Sequence, residues 1–180
     1  MQNLQGQLLI SSAGLYDPNF RHTVVLIGAH GDEGALGVVL NRPAGVAIAD
    51  AAPPLMPITG REAILYQGGP VQPDQPVLLA ELSDPSLADV HVFDAIGFLT
   101  GELSETARTA IRRARVYAGY SGWGPGQLED EMAADTWIVE PPRVEDVFTD
   151  DPDGLWKRIL QRKGPRYKHI SMMPFDPRVN

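Results

Sequence analysis

Four histidines, His22, His30, His91 and His169, are the only side chains of this sequence that titrate near neutral pH in their ordinary state. None has a partner at the spacing of a metal-binding pair. His30 stands beside Asp32 and Glu33, groups that suit a cation, yet consecutive residues of one tight turn rarely converge on a single ion. A polar hairpin turn is the expectation there, and no metal. The chain has no cysteine, which excludes thiolate nucleophiles, disulfides and cysteine-ligated zinc.

The run Gly119, Tyr120, Ser121, Gly122, Trp123 resembles the start of a nucleophile elbow, in which a serine sits on a tight strand-to-helix turn. That elbow needs glycine two residues after the serine, where Trp123 stands, and no histidine has a clear place as its base. Gly122, Gly124 and Gly126 form a glycine loop entering a helix, a geometry that can cradle a phosphate through backbone N–H groups. Against it, Pro125 removes one N–H, no Walker lysine is present, and Glu129, Asp130 and Glu131 already bring negative charge. A tight structural connection is expected there, and likewise at Gly68, Gly69 and Pro70. Asp17 and Asn19 are expected to shape a turn through side-chain to backbone bonds. Arg21 and Arg42 fall near the two outer ends of a predicted hairpin, where they could face each other and hold an anion or carboxylate. No catalytic residue and no cofactor follows from these patterns.

The elements that position these residues are read from apolar periodicity and breakers. Residues 7–13, 22–30 and 34–41 are apolar and β-branched enough for buried strands, the last two as a hairpin spanning 22–41. Asn41, Arg42 and Pro43 are expected to stop that strand, and 44–60 to hold at most one short helix near 47–51. Further strands are expected at 63–66, at 76–82 after a turn at Gln72, Pro73 and Asp74, at 91–98, at 115–120 and at 137–139. Helices are expected at 104–113, from Pro125 to about Ala134, and from an Asp151 cap to Gly164, the last burying Leu155, Trp156, Ile159 and Leu160. From Pro165 on, an irregular or extended tail is expected. Hairpins mixed with helices imply an α/β chain with a mixed sheet.

With 180 residues, 43% apolar and 21% charged, the chain is expected to fold as one domain over 1–164, with the tail at 165–180 packed on it or trailing from it. Apolar runs are far shorter than the ~20 residues of a membrane span, and the first residues lack the pattern of a secretory signal. A cytoplasmic protein is the expectation. The net charge of −8 opposes attraction to nucleic acid or anionic lipid. Charge is also segregated: 129–153 holds ten carboxylates with only Arg143 among them, whereas Lys157, Arg158, Arg162, Lys163, Arg166 and Lys168 follow.

Four stretches together, DPNFRHTVVL at 17–26, EGALGVVLNRP at 33–43, GGPVQPD at 68–74 and GYSGWGPGQLEDE at 119–131, resemble the signature blocks of the YqgE/AlgH family. They occur in the family's order, with Trp137 placed for a strand after the fourth block. The resemblance implies a split mixed β-sheet curled into a partial barrel with flanking helices, in a bacterial cytoplasm. One member is linked by name to the regulation of alginate production, and members are often labelled transcriptional regulators, but the family carries no agreed catalytic residue or cofactor. Ser121 stands where alanine-sized residues are usual, and the tail after Gly164 is longer than in short members.

The expected function is therefore non-enzymatic binding or regulation through a surface made by the block loops. The candidate residues are Asp17, Asn19, Arg21, Asn41, Arg42, Gly68, Gly69, Pro70, Tyr120, Gly122, Trp123, Gly124 and Gln127, with Tyr120, Trp123, Gln127, Arg42 and Asn41 exposed. A protein partner fits this reading, and neither a membrane nor nucleic acid does. The alternatives are a hydrolase or nucleotide-handling enzyme built on the glycine loops and the arginine pair, and direct nucleic-acid binding through the basic 157–168 stretch.

Overall fold

The computed structural model describes residues 2–12 and 20–172. β1 (Leu8–Ser11) pairs antiparallel with β2 (Val24–Gly31), which forms the expected hairpin with β3 (Gly34–Val39). Asn41 locks the base of this hairpin: its Oδ1 accepts from Val24 N at 3.0 Å and its Nδ2 donates to the His22 carbonyl at 2.8 Å.

Pro43 does not end the extended chain as expected. β4 (Pro43–Ala47) begins there and pairs with β5 (Ile64–Gln67), and between them lie α1 (Ile48–Ala51), a 3-10 turn at Pro53–Leu55 and α2 (Met56–Thr59). β4 starts where a proline is tolerated, because the first residue of a short edge strand has no ladder donor to lose. The expected turn at Gln72, Pro73 and Asp74 is instead an irregular stretch within β6 (Val71–Leu82), whose register jumps between Val71 and Pro76. The expected strand over 91–98 is a hairpin of β7 (Val90–Phe93) and β8 (Ile96–Leu99), turned at Asp94 with φ +44°.

α3 (Glu105–Ala110) is capped by Ser104, whose hydroxyl accepts from Ala107 N at 3.1 Å. It stops short of Arg113 because Ile111 already pairs with Leu82, opening β9 (Ile111–Trp123). β9 runs straight through Ser121 and Gly122, so the break expected from 122 lies two residues later. Pro125 sits in the turn before α4 (Gln127–Ala133), which Gly126 introduces in the left-handed region at φ +77°. β10 (Trp137–Glu140) and α5 (Val144–Val147) follow. Asp151 accepts from Gly154 N at 3.2 Å, one turn ahead of α6 (Leu155–Lys163). The start of the expected irregular or extended tail is ordered differently: Pro165–Tyr167 form a 3-10 turn and α7 (Lys168–Ser171) packs back on α6, while residues 173–180 lie outside the described residues.

The strands form one mixed sheet in the order β10-β1-β2-β3-β9-β6-β8-β7, with β5 joining β9 in parallel and β4 in antiparallel fashion. β7 curls round to lie against β2, so β2, β3, β9, β6, β8 and β7 make a partial barrel. Alternate residues of the continuous apolar strands then serve two cores. Leu8, Ile10, Leu26, Val38 and Leu40 face the interior, which α6 fills with Trp156, Ile159 and Leu160, while Leu9, Val25, Ile27 and Val39 face Trp123, Leu128 and Trp137. A third cluster, around Ile48, Leu78 and Val116, lies beneath α1.

The segregated charges meet across this packing. Asp146 takes Arg162 Nη1 and Nη2 at 2.9 and 3.0 Å, Lys163 reaches Glu140 at 3.1 Å, and Arg158 pairs with Asp151 at 2.6 Å. Asp146 is 5% exposed and also caps α5 by accepting from Arg143 N at 2.8 Å. Asp146→Ala should therefore cost about 3 kcal/mol, because it leaves a half-buried guanidinium without its bidentate partner. Denaturant unfolding reads this directly, and a loss below ~0.5 kcal/mol, the scale of an ordinary exposed pair, would show that the pair is dispensable.

Candidate functional site

β3 and β9 pair from Ala35↔Trp123 to Gly37↔Ser121 and then part, and the end of β5 enters the gap. Gly68 occupies the fork. Its N–H donates to Ala118 O at 2.9 Å, and its carbonyl accepts from Val39 N at 2.9 Å and from the Ser121 hydroxyl at 3.1 Å. A Cβ on Gly68 would collide with the Gly119 carbonyl, and one on Gly69 with the Tyr120 peptide. The glycine block is thus a place where two backbones touch. Ser121 is fully buried in mid-strand with its hydroxyl committed to Gly68, which removes the nucleophile-elbow geometry.

Beside the fork opens a hollow of about 420 Å3 whose walls include Val39, Val46, Leu65, Pro70 and Pro73, with Ala118 and Gly69 at the fork itself. Arg42 is its one ionisable described lining residue, and Gln67 adds an amide. Arg42 Nη2 donates to the Arg21 carbonyl at 3.2 Å, and the Arg42 carbonyl accepts from Gln67 N at 2.7 Å. Arg42 therefore meets the main chain of Arg21, and Arg42 but not Arg21 lines the hollow.

The other candidate residues divide. Gly69 and Pro70 line the hollow, whereas Gly68, in the fork beside it, is not among its lining residues. Tyr120 faces a different hollow, and Gly122 is an exposed residue of β9. Asp17 and Asn19 lie outside the described residues. Asn41 and Trp123 are not exposed as expected, at 9% and 6%. Asn41 is drawn inward by the hairpin bonds described above, and Trp123 by a cluster with Phe20 and Trp137. Sequence reasoning missed Val46, Leu65 and Ala118, because the strand that carries Val46 begins with proline and has little β-branched character.

The glycine loop at 122–126 is closed upon itself. Gly124 N donates to Gln127 Oε1 at 3.0 Å, and Gln127 Nε2 donates to Glu131 Oε1 at 3.2 Å. Glu131 Oε2 accepts both indole N–H groups, Trp123 at 2.8 Å and Trp137 at 2.7 Å. The Gly124 and Gln127 amides, two of those a phosphate would need, are thereby tied up within the loop.

The remaining titratable groups are structural in setting. Leu4 N donates to His30 Nδ1 at 2.9 Å, which assigns the proton to Nε2, 2.7 Å from Glu129 Oε1. That hydrogen bond holds the Glu129 carboxyl below its ordinary range. The Tyr117 phenol is fully buried, and burial pushes its pKa up, so it is no base near neutrality. Arg115 stacks on the Tyr66 ring at 4.5 Å and donates to the Val147 and Thr149 carbonyls. Among the described residues no group of three or more His, Asp or Glu side chains could hold a metal, and no helix is long and apolar enough to cross a membrane.

The chain is similar to known proteins in sequence and in fold. The sequence matches a family model described as AlgH-like over residues 8–168. UPF0301 proteins of Streptomyces avermitilis and Chlorobaculum tepidum are 36% and 35% identical to it, over 100% and 97% of this chain and 97% and 95% of their own lengths. The solution structure of the AlgH protein from Pseudomonas aeruginosa is similar with a TM-score of 0.72 at 28% identity, covering 96% of this chain and 95% of that one. The crystal structure of a Corynebacterium diphtheriae protein has the same fold, with a TM-score of 0.84 at 23% identity over 96% of this chain and 94% of the other.

Two outcomes follow from these contacts. Glu131→Gln cannot serve both indoles and Gln127 at once, because its amide must turn N–H toward one set of donors; a loss of about 2 kcal/mol in denaturant unfolding is expected. His22 stacks on Trp156 at 3.9 Å, and burial holds its imidazole below the ordinary 6.5. The unfolded chain then takes up this proton first as pH falls, so stability contributed above pH 6.5 is lost on going down toward the folded value. His22→Asn, which tolerates the left-handed φ of +46°, should flatten the fall in stability from pH 7.5 to 5.5; an unchanged slope would assign that fall to other groups.

Proposed function

The chain belongs to the AlgH-like family, and from that premise we propose that it works by binding rather than by catalysis, taking a ligand with a carboxylate head and an apolar body at the fork. The observation that carries this is the composition of the hollow. A single guanidinium, Arg42, faces walls of Val39, Val46, Leu65, Pro70 and Pro73, and no described lining residue is a serine, histidine or carboxylate that would serve as nucleophile or base. A guanidinium carries five N–H donors, so a carboxylate would be held alongside the partners Arg42 already has, and the contact with Arg21 holds the head in place before any ligand arrives. Val46, 40% exposed, forms an apolar lip.

A regulatory output fits such a protein, with occupancy of the fork as its signal. The setting is cytoplasmic in this reading, in keeping with a cysteine-free chain. DNA is not the proposed ligand: Arg158, Arg162 and Lys163 of the basic stretch are engaged with Asp151, Asp146 and Glu140.

Benzoate and its neutral isostere benzamide test the reading by amide and arginine-side-chain NMR. Benzoate should give saturable shifts at Gly69, Ala118 and Arg42 Nε that Arg42→Met abolishes, and benzamide should not. Equal responses to the two compounds, or no saturation at millimolar benzoate, would contradict it.

A further inference from the structure

The open end of the partial barrel is lined by all six of its strands. Ala29 from β2, Leu36 from β3, Val77 from β6, Val90 from β7, Phe98 from β8 and Tyr120 from β9 surround a hollow of about 170 Å3. It shares no lining residue with the hollow at the fork.

Every described surface that faces this space is carbon. Thr100, at the rim, is turned away, with its N–H and hydroxyl both on Asp89 Oδ2 at 2.7 and 3.2 Å. The hollow depends on a missing side chain. A Cβ on Gly28 would strike the Phe98 ring. Glycine at 28 lets Phe98 lie back against β2 as one wall of the space. Leu36 stands at the lip 49% exposed, a large apolar side chain that solvent would otherwise have to cover.

We infer that this barrel mouth is a second binding site, one that takes a single uncharged hydrocarbon ring. Size and polarity select the occupant. A cavity of about 150 Å3 lined by aliphatic and aromatic side chains stays dry and accepts benzene, and barrel mouths are among the places where ligand sites recur. A peptide segment would bring N–H and C=O groups to a wall whose described residues offer no donor or acceptor, and those groups would be left unsatisfied. An ionised group would be costlier still. The ring enters between Leu36 and Val90 and rests against Phe98 and Tyr120, replacing water at their carbon surfaces. The site stands independently of the carboxylate reading of the fork.

Toluene is the probe, followed by methyl NMR on the intact protein. Saturable shifts are expected at Leu36, Val38, Val77 and Val90, with Val46 and Leu65 at the fork unmoved. Ala29→Phe places a ring in the mouth from an exposed position and should weaken toluene binding by ~tenfold or more, about 1.4 kcal/mol. Val90→Phe serves the same purpose should the first variant fail to fold. Three results would overturn the inference: no saturation up to the solubility of toluene, shifts that survive both filling variants, or methyl shifts that follow protein concentration without toluene, which would mean that a second copy covers the mouth.

Discussion

The peptide of Gly68 lies where two strands part, and three connections pass through it. Its N–H is held by Ala118 of β9, and its carbonyl is shared by Val39 of β3 and the hydroxyl of Ser121. A forked sheet leaves unpaired N–H and C=O groups at the point of divergence, and such groups are costly when buried. The β5 terminus resolves this by entering the fork and pairing with both sides. The solution works only without a side chain at 68 and 69, because the Gly119 carbonyl and the Tyr120 peptide occupy the volume a Cβ would need. Gly119 itself, at φ +69°, bends β9 to meet them.

What surrounds the fork follows from this contact. Once β5 ends there, Arg42 and Gln67 are joined backbone to backbone, and the hollow between β4, β5 and the irregular start of β6 takes its shape. On the other side, β9 continues as the partner of β3, which lets the strands curl into the partial barrel and leaves its carbon-lined mouth. Farther away, α6 fills the interior with one face and joins the acidic segment with the other, through Arg158, Arg162 and Lys163. Ser121 stands in a buried position because it has a carbonyl to meet, and a smaller apolar residue would leave that oxygen with one donor fewer.

Much of the framework was legible in the sequence. The 22–41 hairpin, the apolar stripe of α6 and the strand at Trp137 rest on local patterns, apolar runs or a 3.6-residue period, that tertiary packing had no reason to override. The errors lie where partners distant in sequence decide. Ile111 leaves helix because Leu82 offers a ladder position, Ser121 and Gly122 stay in strand because Gly37 and Leu36 do, and Pro43 opens a strand because Tyr66 pairs with it. Asn41 and Trp123 look like surface residues by type, yet each is buried by satisfying its polar atoms internally. The acidic and basic runs were visible as composition, but their mutual pairing was not, since it depends on how α5 packs against α6. For the candidate site, the motif glycines and Arg42 were legible, whereas the apolar walls were not, because valines, leucines and alanines carry no chemical signature until a fold assembles them.

Tied on both sides, the fork at Gly68 is a rigid junction, and the hollow beside it is formed before any ligand arrives. Native-state hydrogen exchange of the Val39 and Gly68 amides tests this most directly. Both amides should exchange only through global unfolding, with the same free energy and the same denaturant dependence as the amides of β2 and β9. Exchange of these two amides through a local, denaturant-insensitive opening, while the β2 amides stay protected, would contradict it.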